Sequence, residues 1–250
     1  MYKPVYRTGR NGVPFLSKID IDLIAENFIR DFCPEAMKTP MQIDIDSFAE
    51  NYLGLKQDFQ YLSHNGVYLG MTVFNDTDRV VIFNPEKVEA DYISAQARTI
   101  IIDNNLLEEN QEHRYRFTMG HECGHDIYHT QYFGYAPGQM SLLEDREPMI
   151  RCRVVNTNAD KKPAVWDDKN TMEWQANYFA SAILMPKSMV VKFIKDEDEK
   201  FKNLIFRSLN ISNDEIKVIL TSRKFNVSEE AARYRLQGLD LLGKGNQLAI

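Results

Sequence analysis

His121-Glu122-Cys123-Gly124-His125 is the stretch that most constrains what this 250-residue chain can fold into. Two histidines four apart lie on one face of an α-helix, one turn from each other, so both imidazoles can reach a single ion. A third ligand then has to come from elsewhere in the chain, which commits the helix to the inside of a folded core. Glu122, offset by one residue, points beside the ion, where a base must sit to take a proton from water activated by the metal. The pattern arises by accident in roughly one chain in a hundred of this length, so its surroundings have to carry weight. Phe117, Met119, Ile127 and Tyr128 interleave apolar positions among the polar ones, as a buried active-site helix requires. Gly124 costs a helix about 1 kcal/mol relative to Ala, which points to a close approach there.

The third ligand is tested by geometry. His129 lies about 12 Å of helix rise beyond His121 and cannot share one ion with both other histidines. The longer metzincin pattern needs Gly at 128 and His at 131, where this chain has Tyr128 and Gln131. A helix expected from Thr171 to Met185, stopped by Pro186, carries the apolar stripe Trp174, Phe179, Ala182 and Ile183. Glu173 lies in its first turn, either as a solvated acid favoured by the helix dipole or as an inward-facing ligand. Periodicity does not decide between them, and Glu144, Asp145 and Glu147 are the next carboxylates to consider.

Around this segment the chain reads as an α+β protein with a small sheet. An amphipathic helix is expected over Ile19–Phe32, and a short one over Asp46–Tyr52 closed by Gly54. About three strands are expected at Val67–Phe74, Val80–Phe83 and Thr99–Ile102, then a helix over Glu108–His129. Thr130–Lys169 shows little periodicity, and Asp214–Leu242 reads as helix, turn and helix. Net charge −6 and pI near 5.5 argue against nucleic acid as a direct partner. No window approaches the ~18 apolar residues of a membrane span, and MYKPVYRTGRNGVPF lacks the apolar core of a secretory signal, so the cytoplasm is expected. Cys33, Cys123 and Cys152 are far apart, which fits reduced thiols there.

Four ordered blocks, ARTIIIDNNLL, RFTMGHECGHDIYH, MEWQANYFASAILMP and KFNVSEEAARYRLQGL, resemble the ImmA/IrrE metallopeptidases. The resemblance implies a zincin-like metallopeptidase core of the gluzincin kind over residues 1–190, with a C-terminal helical, helix-turn-helix-like subdomain over 191–250. It implies Zn2+ held by His121, His125 and Glu173, with Glu122 as catalytic acid/base. Cys123 stands where the family often has Leu. The implied substrate is a protein, a helix-turn-helix transcriptional repressor cut at one site. The alternatives are a non-catalytic repressor- or DNA-binding module on a degenerate protease fold, and a zinc hydrolase acting on a non-peptide amide. His129 and Tyr128 are candidates for supporting a ligand or stabilising the oxyanion, and Asn177 for orienting Glu173. Cys152, between two arginines, is a candidate reactive thiol or a packing residue. Arg223, Arg233 and Arg235 are placed to face phosphate if the C-terminal helices bind DNA, but Glu229 and Glu230 at the start of the second helix argue for packing instead.

Overall fold

The computed structural model describes residues 1–134, 149–153, 167–201 and 212–243; Glu144, Asp145 and Glu147 lie outside them. Helix α1 (Lys18–Phe32) begins at Ser17, whose hydroxyl accepts from the Asp20 amide while the Asp20 carboxylate accepts from the Ser17 amide. This reciprocal cap satisfies two amides that a helix start leaves without partners. Its apolar face, Ile21, Ile24, Ala25, Phe28 and Ile29, is buried, and each such side chain contributes on the order of 2 kcal/mol. A single turn, α2 (Ile45–Ser47), runs into a π-helical turn at Phe48–Tyr52, and Gly54 follows at φ 70°.

The strands are β1 (Lys56–Gln60), β2 (Tyr68–Val73), β3 (Thr77–Asn84), β4 (Glu89–Ala95), β5 (Thr99–Asp103) and β6 (Met149–Arg153). They form two sheets where one was expected. A four-stranded sheet runs β1-β5-β2-β6, with β1 parallel to β5 and the other pairs antiparallel, while β3 and β4 pair as a separate hairpin. Val80–Phe83 therefore pairs with β4 and does not join the sheet that holds the other two expected strands. β1, with the sequence KQDFQ, has too little apolar alternation to read as a strand and is held by its ladder to β5. β5 is buried along its whole length, as a strand covered on both faces should be.

Helix α3 (Glu112–Phe133) crosses one face of this sheet, starting and ending four residues later than its periodicity suggested. α4 (Asp168–Leu184), α5 (Lys187–Phe201), α6 (Asn213–Phe225) and α7 (Glu229–Gly238) follow. The turn between α6 and α7 has Asn226 in the left-handed region, and Ser228 caps α7 by accepting from the Ala231 amide. One apolar cluster runs from Ile21 and Phe28 through Met119, Cys123 and Phe179 to Phe193, Val218, Phe225 and Leu236, so segments 1–190 and 191–250 share it. A smaller cluster, Met71, Val73, Val80 and Ile101, joins the other face of the sheet to the hairpin. Among the described residues no helix is long and apolar enough to cross a membrane.

Candidate metal centre

Every residue of α3 from Thr118 to Asp126 is buried, although five of the nine are polar or charged. Such a run survives only where each polar group meets a partner. The partner helix is α4, and small residues let it come close. A Cβ on Gly124 would stand 3.1 Å from Ala176 Cα, and one on Gly120 would stand 3.3 Å from Ala180 Cα. The close approach expected at Gly124 is therefore the crossing of α3 and α4.

That crossing brings Glu173 and Asn177, one turn apart on α4, to the histidines of α3. His121 Nε2 lies 3.5 Å from Glu173 Oε2, His125 Nε2 lies 3.7 Å from Glu173 Oε1, and the two Nε2 atoms are 2.9 Å apart. One ligand atom from each residue falls within 4.8 Å of the others. Asn177 contacts His121 rather than Glu173: its Oδ1 accepts from His121 Nδ1, 2.9 Å away, which turns the Nε2 lone pair inward. Burial holds the pKa of His125 well below 6.5, so it is a neutral ring with a lone pair to offer.

Glu122 is fully enclosed beside this cluster. Thr72 of β2 donates to its Oε2 at 2.6 Å, while its Oε1 has no hydrogen-bond partner. Gly70, two residues back on the same strand face, leaves the space: a Cβ there would come within 2.6 Å of Glu122 Oε1. Burial raises the Glu122 carboxyl to about 7, against the nearby His121 and the Thr72 bond, which lower it. Glu173 Oε1 is likewise buried without a partner. The orphaned Glu173 oxygen and the two imidazole nitrogens form a donor set that a divalent cation fits, with zinc's preference for N and O ligands met.

The remaining candidates are placed differently. His129 does not join the ligand atoms; its Nδ1 lies 2.8 Å from His125 Nδ1 and its Nε2 lies 2.9 Å from Gln175 Oε1. Burial lowers its pKa to about 3. Tyr128 packs edge-on between Tyr6 and Phe179 in the core, 1% exposed, so its ring is a packing element there. Cys123 is buried in the same core, and burial raises its thiol pKa well above the ordinary value. Cys152 is placed as a β6 backbone position opposite Gly70, its side chain outside the described ones. Of the three arginines considered for phosphate, Arg235 is buried on Asp22, Arg233 pairs with Glu215 and Arg223 is exposed. Thr72, Gly70 and Gln175 were not singled out in the sequence; the one available signal was the Gly-x-Thr alternation on β2, which puts both on one face.

Residues 156–237 match the family model Peptidase_M78, the IrrE N-terminal-like domain. The matched stretch holds Glu173, Gln175 and Asn177 and begins downstream of His121, Glu122 and His125. No curated protein matches the chain. The match falls on the MEWQANYFASAILMP and KFNVSEEAARYRLQGL blocks and supports, over that third of the chain, the resemblance to the ImmA/IrrE metallopeptidases.

Proposed function

We propose that this chain is a zinc-dependent endopeptidase with a zincin-like core, working in the cytoplasm on a helix-turn-helix transcriptional repressor. The observation that supports it best is the convergence of His121, His125 and Glu173 on one point, with Glu122 beside it. Bound there, zinc would supply Lewis acidity toward a water and a scissile carbonyl. Glu122, held by Thr72 and shifted to about 7, takes the proton from water and returns it to the leaving amine. Asn177 keeps the His121 ring oriented, and the buried walls from Thr118 to Asp126 keep bulk water away. The repressor as substrate rests on the family resemblance.

Elemental analysis of protein purified without chelator should give one zinc per chain. Glu122→Gln should keep that zinc and the fold while cleavage of a co-expressed neighbouring repressor falls by about 10²–10⁴-fold. Glu173→Ala should weaken zinc retention sharply and Glu173→Asp less so. Unchanged zinc affinity in Glu173→Ala would move the third ligand elsewhere, and zinc binding with no cleavage in the wild type would favour a binding module.

A further inference from the structure

Beyond the ligands, a buried hydrogen-bond relay leads from the metal site to the N-terminal segment. His125 Nδ1 meets His129 Nδ1 at 2.8 Å, His129 Nε2 meets Gln175 Oε1 at 2.9 Å, and Gln175 Nε2 donates to the Pro14 carbonyl at 2.7 Å. His125 and His129 are wholly enclosed, and Gln175 is 1% exposed. Pro14 is held in place by its neighbour Val13, buried against Phe74, Phe133, Ile150 and Met172.

The direction of every bond follows from the last one. A carbonyl oxygen only accepts, so the Gln175 amide nitrogen faces Pro14 and its oxygen faces His129. That oxygen only accepts, so His129 Nε2 carries a proton. A fully enclosed imidazole flanked by another imidazole and a carboxamide has no counter-charge, so it holds one proton, already used at Nε2. Its Nδ1 is then an acceptor, and the 2.8 Å contact requires His125 to donate from Nδ1. His125 Nε2 is left with its lone pair directed at His121 and Glu173. The opposite tautomer would set two nitrogen lone pairs against each other at that contact, with no room for an ion between them, whereas the 2.9 Å contact between His125 Nε2 and His121 Nε2 is satisfied by a proton on His121 Nε2 or by a shared cation.

We infer that Gln175 is a positioning residue: anchored on the Pro14 carbonyl, it sets His129 and through it fixes His125 in the Nδ1–H tautomer that presents Nε2 to a metal. The inference rests on the proposed metal site for its purpose, but the tautomer itself can be read without metal. Asn177, two residues on along α4, contacts the other ring through His121 Nδ1.

The test is long-range proton–nitrogen NMR on the metal-free full-length protein at neutral pH, with zinc affinity measured by chelator competition. His125 should show a protonated Nδ1 and a bare Nε2. Gln175→Leu, which removes the acceptor for His129, should mix the tautomers of both rings and weaken zinc binding by roughly 10–100-fold. An Nε2–H His125 in the wild type overturns the inference, and so does a Gln175→Leu protein with unaltered tautomers and affinity. If Gln175→Leu does not fold, the wild-type spectrum still decides. A protein that binds no zinc yet shows the Nδ1–H ring would sink the proposed function and leave the relay standing.

Discussion

Two buried polar clusters flank helix α4, and they are finished to different degrees. On one side Arg235 donates to Asp22 Oδ1 at 2.7 Å, to the Met185 carbonyl at 3.0 Å and to the Tyr178 hydroxyl at 3.3 Å, while Tyr178 donates to Asp22 Oδ2 at 3.1 Å. Both carboxylate oxygens of Asp22 are used. On the other side Glu122 and Glu173 each keep a buried oxygen without a partner. Enclosed carboxylates normally find donors, because leaving one unpaired costs about 1–3 kcal/mol or more. A complete network ties α1 to α7 and needs nothing further. The incomplete one has room for an added donor or ion, which is what makes it the candidate site.

The largest effect expected from this contrast falls on the finished cluster. Asp22→Ala should cost about 3–5 kcal/mol, because it strands Arg235 in the core with its charge unpaired. Urea melts at neutral pH should show this as a lower midpoint with an unchanged slope. Replacing both partners, Asp22→Leu with Arg235→Leu, should recover most of the loss. A fall of less than 1 kcal/mol in Asp22→Ala would mean that the cluster does not tie the two ends of the chain together.

The unfinished cluster should respond to pH in its metal-free state. Burial raises Glu122 to about 7, above its unfolded value near 4.5, so its contribution to stability is full below about 4.5 and is lost as pH rises through about 7. Gln at this position carries no charge at any pH, and the buried histidines are common to both proteins. Between pH 5 and pH 8, chelator-treated Glu122→Gln should therefore gain on wild type by on the order of 2–3 kcal/mol in thermal melts. A constant difference across that range would show that the carboxylate is not penalised by its enclosure.

How much of this was legible before the structure differs between the two clusters. H-E-x-x-H is local, so His121, Glu122 and His125 follow from helical spacing alone, and α1 and the α6–α7 turn follow from their apolar stripes and caps. Glu173 needed the family resemblance, because nothing in its own helix separates a first-turn acid from a ligand. Asp22 and Arg235 lie at opposite ends of the chain, and no periodicity pairs them. β1 and β6 escaped for a related reason: their strand character comes from the ladders they join, and the residues around β6 carry no turn signal strong enough to frame it. Gln175 looked like one more polar position on a helix, since its role depends on the carbonyl of Pro14.

The smallest effect expected sharpens the contrast most, because it separates stability from site geometry. In Gly124→Ala the new methyl would meet Ala176 Cα at 3.1 Å, Ala176 O at 3.3 Å and Phe179 Cβ at 3.3 Å. Two of these atoms are backbone, so α4 itself has to give by a few tenths of an ångström. Overpacking of this kind costs about 1–3 kcal/mol, and the better helix propensity of Ala returns about 1, leaving a net loss of about 1 kcal/mol. The finished cluster, whose bonds reach α4 at Tyr178 and at its C-cap Met185, away from the crossing at Gly124, should absorb that shift. The candidate metal cluster spans the crossing directly, with His121 and His125 on one helix and Glu173 on the other, so a displaced Glu173 should weaken zinc binding by several-fold. Chelator competition beside a urea melt of the same variant measures both quantities. Unchanged zinc affinity with a stability loss of about 1 kcal/mol would show that Glu173 has enough freedom to follow the ion, and that the close crossing serves packing rather than the site.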